Sequence, residues 1–109
     1  MTTQKKVIRD LYMNNIRFEP DYSGNHKYIA IIPQKGKRAK RVRFGSPQYE
    51  HFRDSVPKDL GGGVWSFLDH NDKDRRKAYR ARHSKIKMKD GRLAYKVKYT
   101  PSYFSYWTL

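Results

Sequence analysis

The sequence predicts an α+β fold, a small antiparallel sheet packed against one or two helices. Residues 27–45 read as two β segments around a basic turn, and residues 86–100 read as a second pair around Asp90-Gly91. Helical spacing at 3–15, and a helix start and stop at 71–85, supply the other layer. A length of 109 residues suits one small basic domain, 1–109.

The first helix is expected from Thr3 to about Asn15, capped by Thr2 or Thr3. Val7, Ile8, Leu11, Tyr12 and Ile16 fall on one stripe. Glu19-Pro20 and Tyr22-Ser23-Gly24-Asn25 are expected to stop it. Lys27 to Pro33 is β-branched and apolar, Gln34 to Arg38 is a basic turn, and Ala39 to Gly45 alternates. Side chains alternate between the faces of a strand, so Val42 and Phe44 point one way and Arg41 and Arg43 the other. One face can pack, and the other is a row of guanidinium groups.

From Gly45 to Asp69 the pattern weakens. Pro47 to Phe52 suits one or two helical turns, and 53–68 reads as a flexible insertion with Gly61-Gly62-Gly63 as its hinge. The glycines lack the Gly-Lys-Ser/Thr that completes a phosphate-binding loop. Asn71 to about Lys85 reads as a second helix, with Asn71 as N-cap, Asp72 and Asp74 in the first turn and basic residues in the last. Beyond Asp90-Gly91, Leu93, Tyr95, Val97 and Tyr99 alternate with Ala94, Lys96 and Lys98, and Ile86 and Met88 would lie in the partner strand. An aromatic segment, 101–109, closes the chain.

The formal net charge is +15, from 25 Lys and Arg against 10 Asp and Glu. Self-repulsion of that size opposes compaction and points to an anionic partner: nucleic acid, a membrane surface or an acidic protein face. Aliphatic residues are scarce, and nine Tyr, five Phe and two Trp supply burial in their place. The absence of cysteine excludes disulfides and thiolate metal sites. No apolar run approaches the roughly 18–20 residues of a membrane span. Thr2 to Lys6 is polar, unlike a signal peptide, so a soluble or peripheral protein is expected.

Arg41 and Arg43 on the strand, and Arg75, Arg76, Arg80 and Arg82 on the helix, are the expected contacts to phosphate or carboxylate. The guanidinium fork binds both bidentately. Tyr103, Phe104, Tyr106 and Trp107 form an expected protein–protein anchor, being aromatic and nearly uncharged. Two readings compete with it: these rings make the core, or with Tyr95 and Tyr99 they stack on single-stranded bases. No helix-turn-helix, zinc finger or RNA-binding sheet signature is present, so DNA binding rests on charge alone. His26, His51, His70 and His83 have no acidic residue at a metal-ligand spacing. No catalytic residue, metal, cofactor or small-molecule substrate is therefore expected.

Arg41-Val42-Arg43-Phe44-Gly45 is followed by Tyr49 and Phe52, then by His70, Asp72, Arg75, Arg76, Tyr79, Arg82 and His83, and finally by Phe104-Ser105-Tyr106-Trp107. In that order they resemble a family of small basic proteins of nucleocytoplasmic large DNA viruses, chlorella-virus and giant-virus types among them. The resemblance covers roughly Lys27 to Leu109 with gaps, and leaves out the first helix. It implies a virus particle, with the protein made in the host cell cytoplasm, more than it implies a mechanism. The first expected function is a non-enzymatic minor capsid protein that cements acidic surfaces of other capsid proteins of the same virus, with an anionic inner membrane surface as a further partner. The alternative is a virus-encoded nucleic-acid binder that coats or packages the genome. Basic residues spread over ordered elements, beside aromatic anchors, favour the first.

Overall fold

The computed structural model describes residues 3–109. Helix α1 spans Gln4–Met13, with the Thr3 hydroxyl accepting from the Lys6 N–H as N-cap. Thr2, the other candidate cap, lies outside the described residues. Asn15 adopts a φ of 55° after the last turn, and the Ile16 N–H bonds back to the Leu11 carbonyl. Val7, Leu11 and Ile16 are buried, while Tyr12 is exposed.

The sheet has three strands in the order β1-β2-β3, all antiparallel: β1 (Arg17–Pro20), β2 (Tyr28–Gln34) and β3 (Lys37–Phe44). β1 forms where the sequence signals only a stop. Its Phe18 pairs with Ala30, and Pro20 closes an edge strand, where a missing N–H is tolerated. The hairpin is tighter than the expected five-residue turn: Gln34 pairs with Lys37, and Gly36 takes a φ of 71°. Between the Ile32–Lys40 and Gln34–Lys37 pairs, β3 carries one extra residue, a bulge beside Pro33.

One sheet face builds an aromatic core. Phe18, Tyr28, Phe44 and Phe104 pack as edge and stacked pairs with centroids 5.2–6.1 Å apart. Phe104 comes from helix α3 (Pro101–Thr108), which has Thr100 as N-cap and Pro101 in its first turn. The other sheet face is thin. Ile29 is buried and Ile31 half-buried, on the face that carries Glu19, Arg41 and Arg43.

The strands expected within 86–100 are absent. The Asp90-Gly91 turn does close, with the Met88 N–H bonded to the Arg92 carbonyl, but only a single bridge, Lys87–Leu93, follows. Residues Ala94–Lys96 then coil into a short 3-10 turn. The tyrosines that alternate there are engaged elsewhere: Tyr95 packs on Tyr106, while Tyr99 stacks on Phe104 and donates to Asp10 at 2.7 Å.

The expected hinge is a packed segment. A Cβ on Gly61 would lie 1.9 Å from the Phe18 carbonyl oxygen, and one on Gly62 would lie 2.0 Å from that of Val56. These glycines stand where two backbones touch. No helical turn forms at 47–52; His51 instead bridges to Asp69. Helix α2 (Lys73–His83) starts one residue later than expected. Asp72 is the N-cap, accepting from the Asp74 and Arg75 N–H groups, and Asn71 precedes it with a φ of 55°. No residue of α2 is buried.

Candidate functional site

Helix α2 stands off the core and is held by a few polar and aromatic contacts. The Arg76 guanidinium lies 4.1 Å from the Phe52 ring centroid, and that of Arg80 lies 4.9 Å from the ring of Tyr106. Arg80 also donates to the Tyr106 carbonyl at 3.4 Å. The Tyr79 ring stacks on His83 at 3.9 Å. Between α2, the 45–52 loop and α3 opens a cleft of about 680 Å³.

The charge of this cleft is one-sided. Lys27, Arg75, Arg76, Arg80 and Arg82 line it, against Glu50 as the one acidic side chain among its lining residues. Glu50 bonds Arg75 at 3.1 Å, and among the described residues Arg76, Arg80 and Arg82 form no ion pair with a carboxylate side chain, while Lys27 is buried under the pull of Asp54 and Asp69. His83 lies on the same wall, held below the ordinary histidine range by burial and by Arg82. Tyr49, also lining the cleft, is 69% exposed.

Lys27 and His51 form a buried polar group against this cleft. Lys27 Nζ donates to the Tyr49 carbonyl at 2.8 Å and lies 2.7 Å from His51 Nδ1. An ammonium has no acceptor, so His51 Nδ1 accepts and the ring proton sits on Nε2, which donates to Asp69 Oδ1 at 2.6 Å. Burial, then the Lys27 charge, push His51 below the ordinary histidine range and keep it neutral. Burial brings Lys27 down to about 8, against the opposing pull of Asp54 and Asp69. The arrangement ties the start of β2 to two distant loops. Among the described residues, no group of three or more His, Asp or Glu is arranged to hold a metal ion. No helix among them is long and apolar enough to cross a membrane.

The structure divides the arginines expected to meet an acidic partner. Arg75, Arg76, Arg80 and Arg82 converge on the cleft. Arg41 and Arg43 do not: they lie on the outer sheet face, where Arg41 bonds Glu19 and Arg43 sits 3.6 Å from Asp21. Of the expected aromatic anchor, Tyr103, Phe104 and Trp107 are buried where α3 closes the core. Tyr106 is half-buried and lines the cleft. The sequence reading missed Lys27, His51 and Asp69 as a unit. The available signal was a lysine heading an apolar strand.

Compared with known proteins, the chain matches no family model, no curated protein and no solved structure. Fold and cleft together define a small basic α+β domain with a cluster of arginines on one helix that buries no residue.

Proposed function

We propose that the protein is a non-enzymatic nucleic-acid binder of a large DNA virus, taking a phosphate backbone into the cleft beside α2. The observation that supports this most is the cleft lining, where four arginines of α2 face a single Glu. Phosphates answer that imbalance directly, and releasing their counterions makes such binding strong and salt-dependent. The exposed Tyr49 ring at the same cleft offers a stacking surface for an unpaired base. Burial of Tyr103, Phe104 and Trp107 takes weight from the anchor that favoured capsid cementing. Lys27 and His51 are occupied in structural hydrogen bonds, which suits binding without turnover.

The test is affinity for a single strand and a duplex across a salt series. Arg75→Gln with Arg82→Gln changes two exposed side chains, so the fold is retained. The slope of log affinity against log salt should flatten by about 1 to 2. Binding that is absent in the parent protein, or unchanged in the variant, overturns the reading.

A second reading keeps the capsid role and moves its anchor. Phe67 is 74% exposed and stacks on Trp65 at 5.6 Å, with Val64 exposed beside them. A projecting ring backed by a seated Trp65, whose indole N–H bonds the Lys27 carbonyl, suits a pocket on an acidic capsid protein. Retention with a nuclease-treated shell, lost in Phe67→Ala, would favour it over genome binding.

A further inference from the structure

We propose that the tip of the β2–β3 hairpin is a second phosphate-backbone site, so that one molecule bridges two nucleic-acid segments. This rests on the nucleic-acid reading above and adds a second point of attachment to it. Lys35, Lys37, Arg38 and Lys40 fall within six residues at the tip, and all four are exposed. Among the described residues none of the four forms an ion pair with a carboxylate. No Asp or Glu occurs between Asp21 and Glu50 to balance them locally. Four mutually repelling cations on a tight turn are stable only in solvent or against a dense anion.

The tip and the cleft lie at opposite ends of the same ladder. Lys27 and Gly45, which line the cleft, flank the end where Tyr28 pairs with Phe44, and the Gln34–Lys37 pair closes the other. The length of β3, Lys37–Phe44, separates them by about 24 Å at about 3.4 Å per residue. Between them Arg41 is paired with Glu19 and Arg43 with Asp21, which among the described residues leaves Arg17 of β1 as the one exposed arginine of that outer face outside an ion pair. A single backbone running along the ladder would therefore meet two occupied arginines midway and only Arg17 outside an ion pair. Two separate backbones, one at each end, meet only unpaired cations at the tip and the cation-rich cleft at the other end. The hydrogen-bonded ladder holds the two sites a fixed distance apart.

The experiment immobilises one short duplex, adds the full chain, and measures capture of a second, labelled duplex. The parent protein should capture it. Replacing Lys35, Lys37, Arg38 and Lys40 with Gln should leave binding to the immobilised duplex through the cleft and lower capture about tenfold or more. Arg75→Gln with Arg82→Gln should lower capture from the other side. Lys37→Gln alone, with a smaller loss, guards against misfolding of the fourfold variant. Undiminished capture by the hairpin variants overturns the proposal. Binding of the first duplex without capture of a second also overturns it, while leaving the cleft reading intact. Failure of the parent protein to bind any duplex or single strand sinks both. Hairpin-dependent binding to phosphatidylserine vesicles, with no capture of a second duplex, overturns it in favour of a membrane surface.

Discussion

Asp54 accepts from the Tyr28 hydroxyl, from the Trp65 N–H at 3.0 Å and from the Val56 N–H at 3.2 Å. One carboxylate thus joins β2 to both ends of the glycine loop. Asp54→Ala leaves three donors without their partner, so a loss of about 3 kcal/mol or more is expected in urea unfolding. Tyr28→Phe removes one of those bonds and also the acceptor of the Val64 N–H at 3.2 Å, and should cost about 1 to 3 kcal/mol. Titrating residues set the pH profile. His51 is held neutral when folded but takes a proton near pH 6.5 when unfolded, so stability falls as the pH drops below about 6.5. Lys27 sits at about 8 when folded, whereas an unfolded lysine keeps its proton to about 10.4; stability therefore rises with pH between those values. Burial raises Tyr28 and Tyr99 and brings Tyr103 up to about 12, so above pH of about 10 the unfolded chain ionises first and stability falls. Thermal midpoints should peak near pH of about 9 to 10, and Lys27→Met should abolish the rise leading to that peak. A maximum at neutral pH in the parent protein would contradict the assigned burial of Lys27.

Helix α2 is the element most separable from the rest. It buries no residue, and its start depends on the Asp72 cap. Asp72→Ala should cost the helix about 1 kcal/mol, seen as lost far-UV helicity with the near-UV signal of the aromatic core retained. Phosphate-backbone binding should weaken in the same variant, because the arginines of the cleft ride on that helix. The start of α2 was legible in the sequence to within a residue, since Asn71 and Asp72 are both capping types and only one can be used, while its end falls at His83, two residues short of Lys85. The hairpin was legible because Val42 and Phe44 alternate with arginines that the outer face can solvate. β1 was not, because Arg-Phe-Glu-Pro has no strand pattern of its own and becomes a strand only by pairing with β2. The alternation at 93–99 misled for the opposite reason: its tyrosines satisfy α1 and α3 rather than a sheet edge. α3 carried a readable start, Thr100 before Pro101, but its aromatic composition suggested a surface anchor. The helix half of the candidate site followed from the spacing of its arginines. The Lys27–His51–Asp69 group joins residues up to 42 positions apart, a distance over which no local pattern reports.

At the scale of the molecule, a net charge of +15 sits on a body with a radius of gyration of 13.5 Å. Repulsion at that density strains the folded state, so added salt should raise the thermal midpoint through screening. A polyanion at low concentration should raise it further, by mass action on the folded form. A midpoint that falls or stays flat with salt would show that the internal ion pairs outweigh the excess charge. The same charge bears on how the chain folds. The sheet's inner face is completed by Phe104 of α3, and Gln4 donates to the Trp107 carbonyl across 103 positions. During synthesis β1 to β3 emerge long before α3, so Phe18, Tyr28 and Phe44 wait uncovered on an unfinished sheet. Neighbouring nascent chains in that state would associate through those rings, and what holds them apart is the cationic excess each already carries. The charge that draws the finished protein to its partner thus also keeps its unfinished copies from one another.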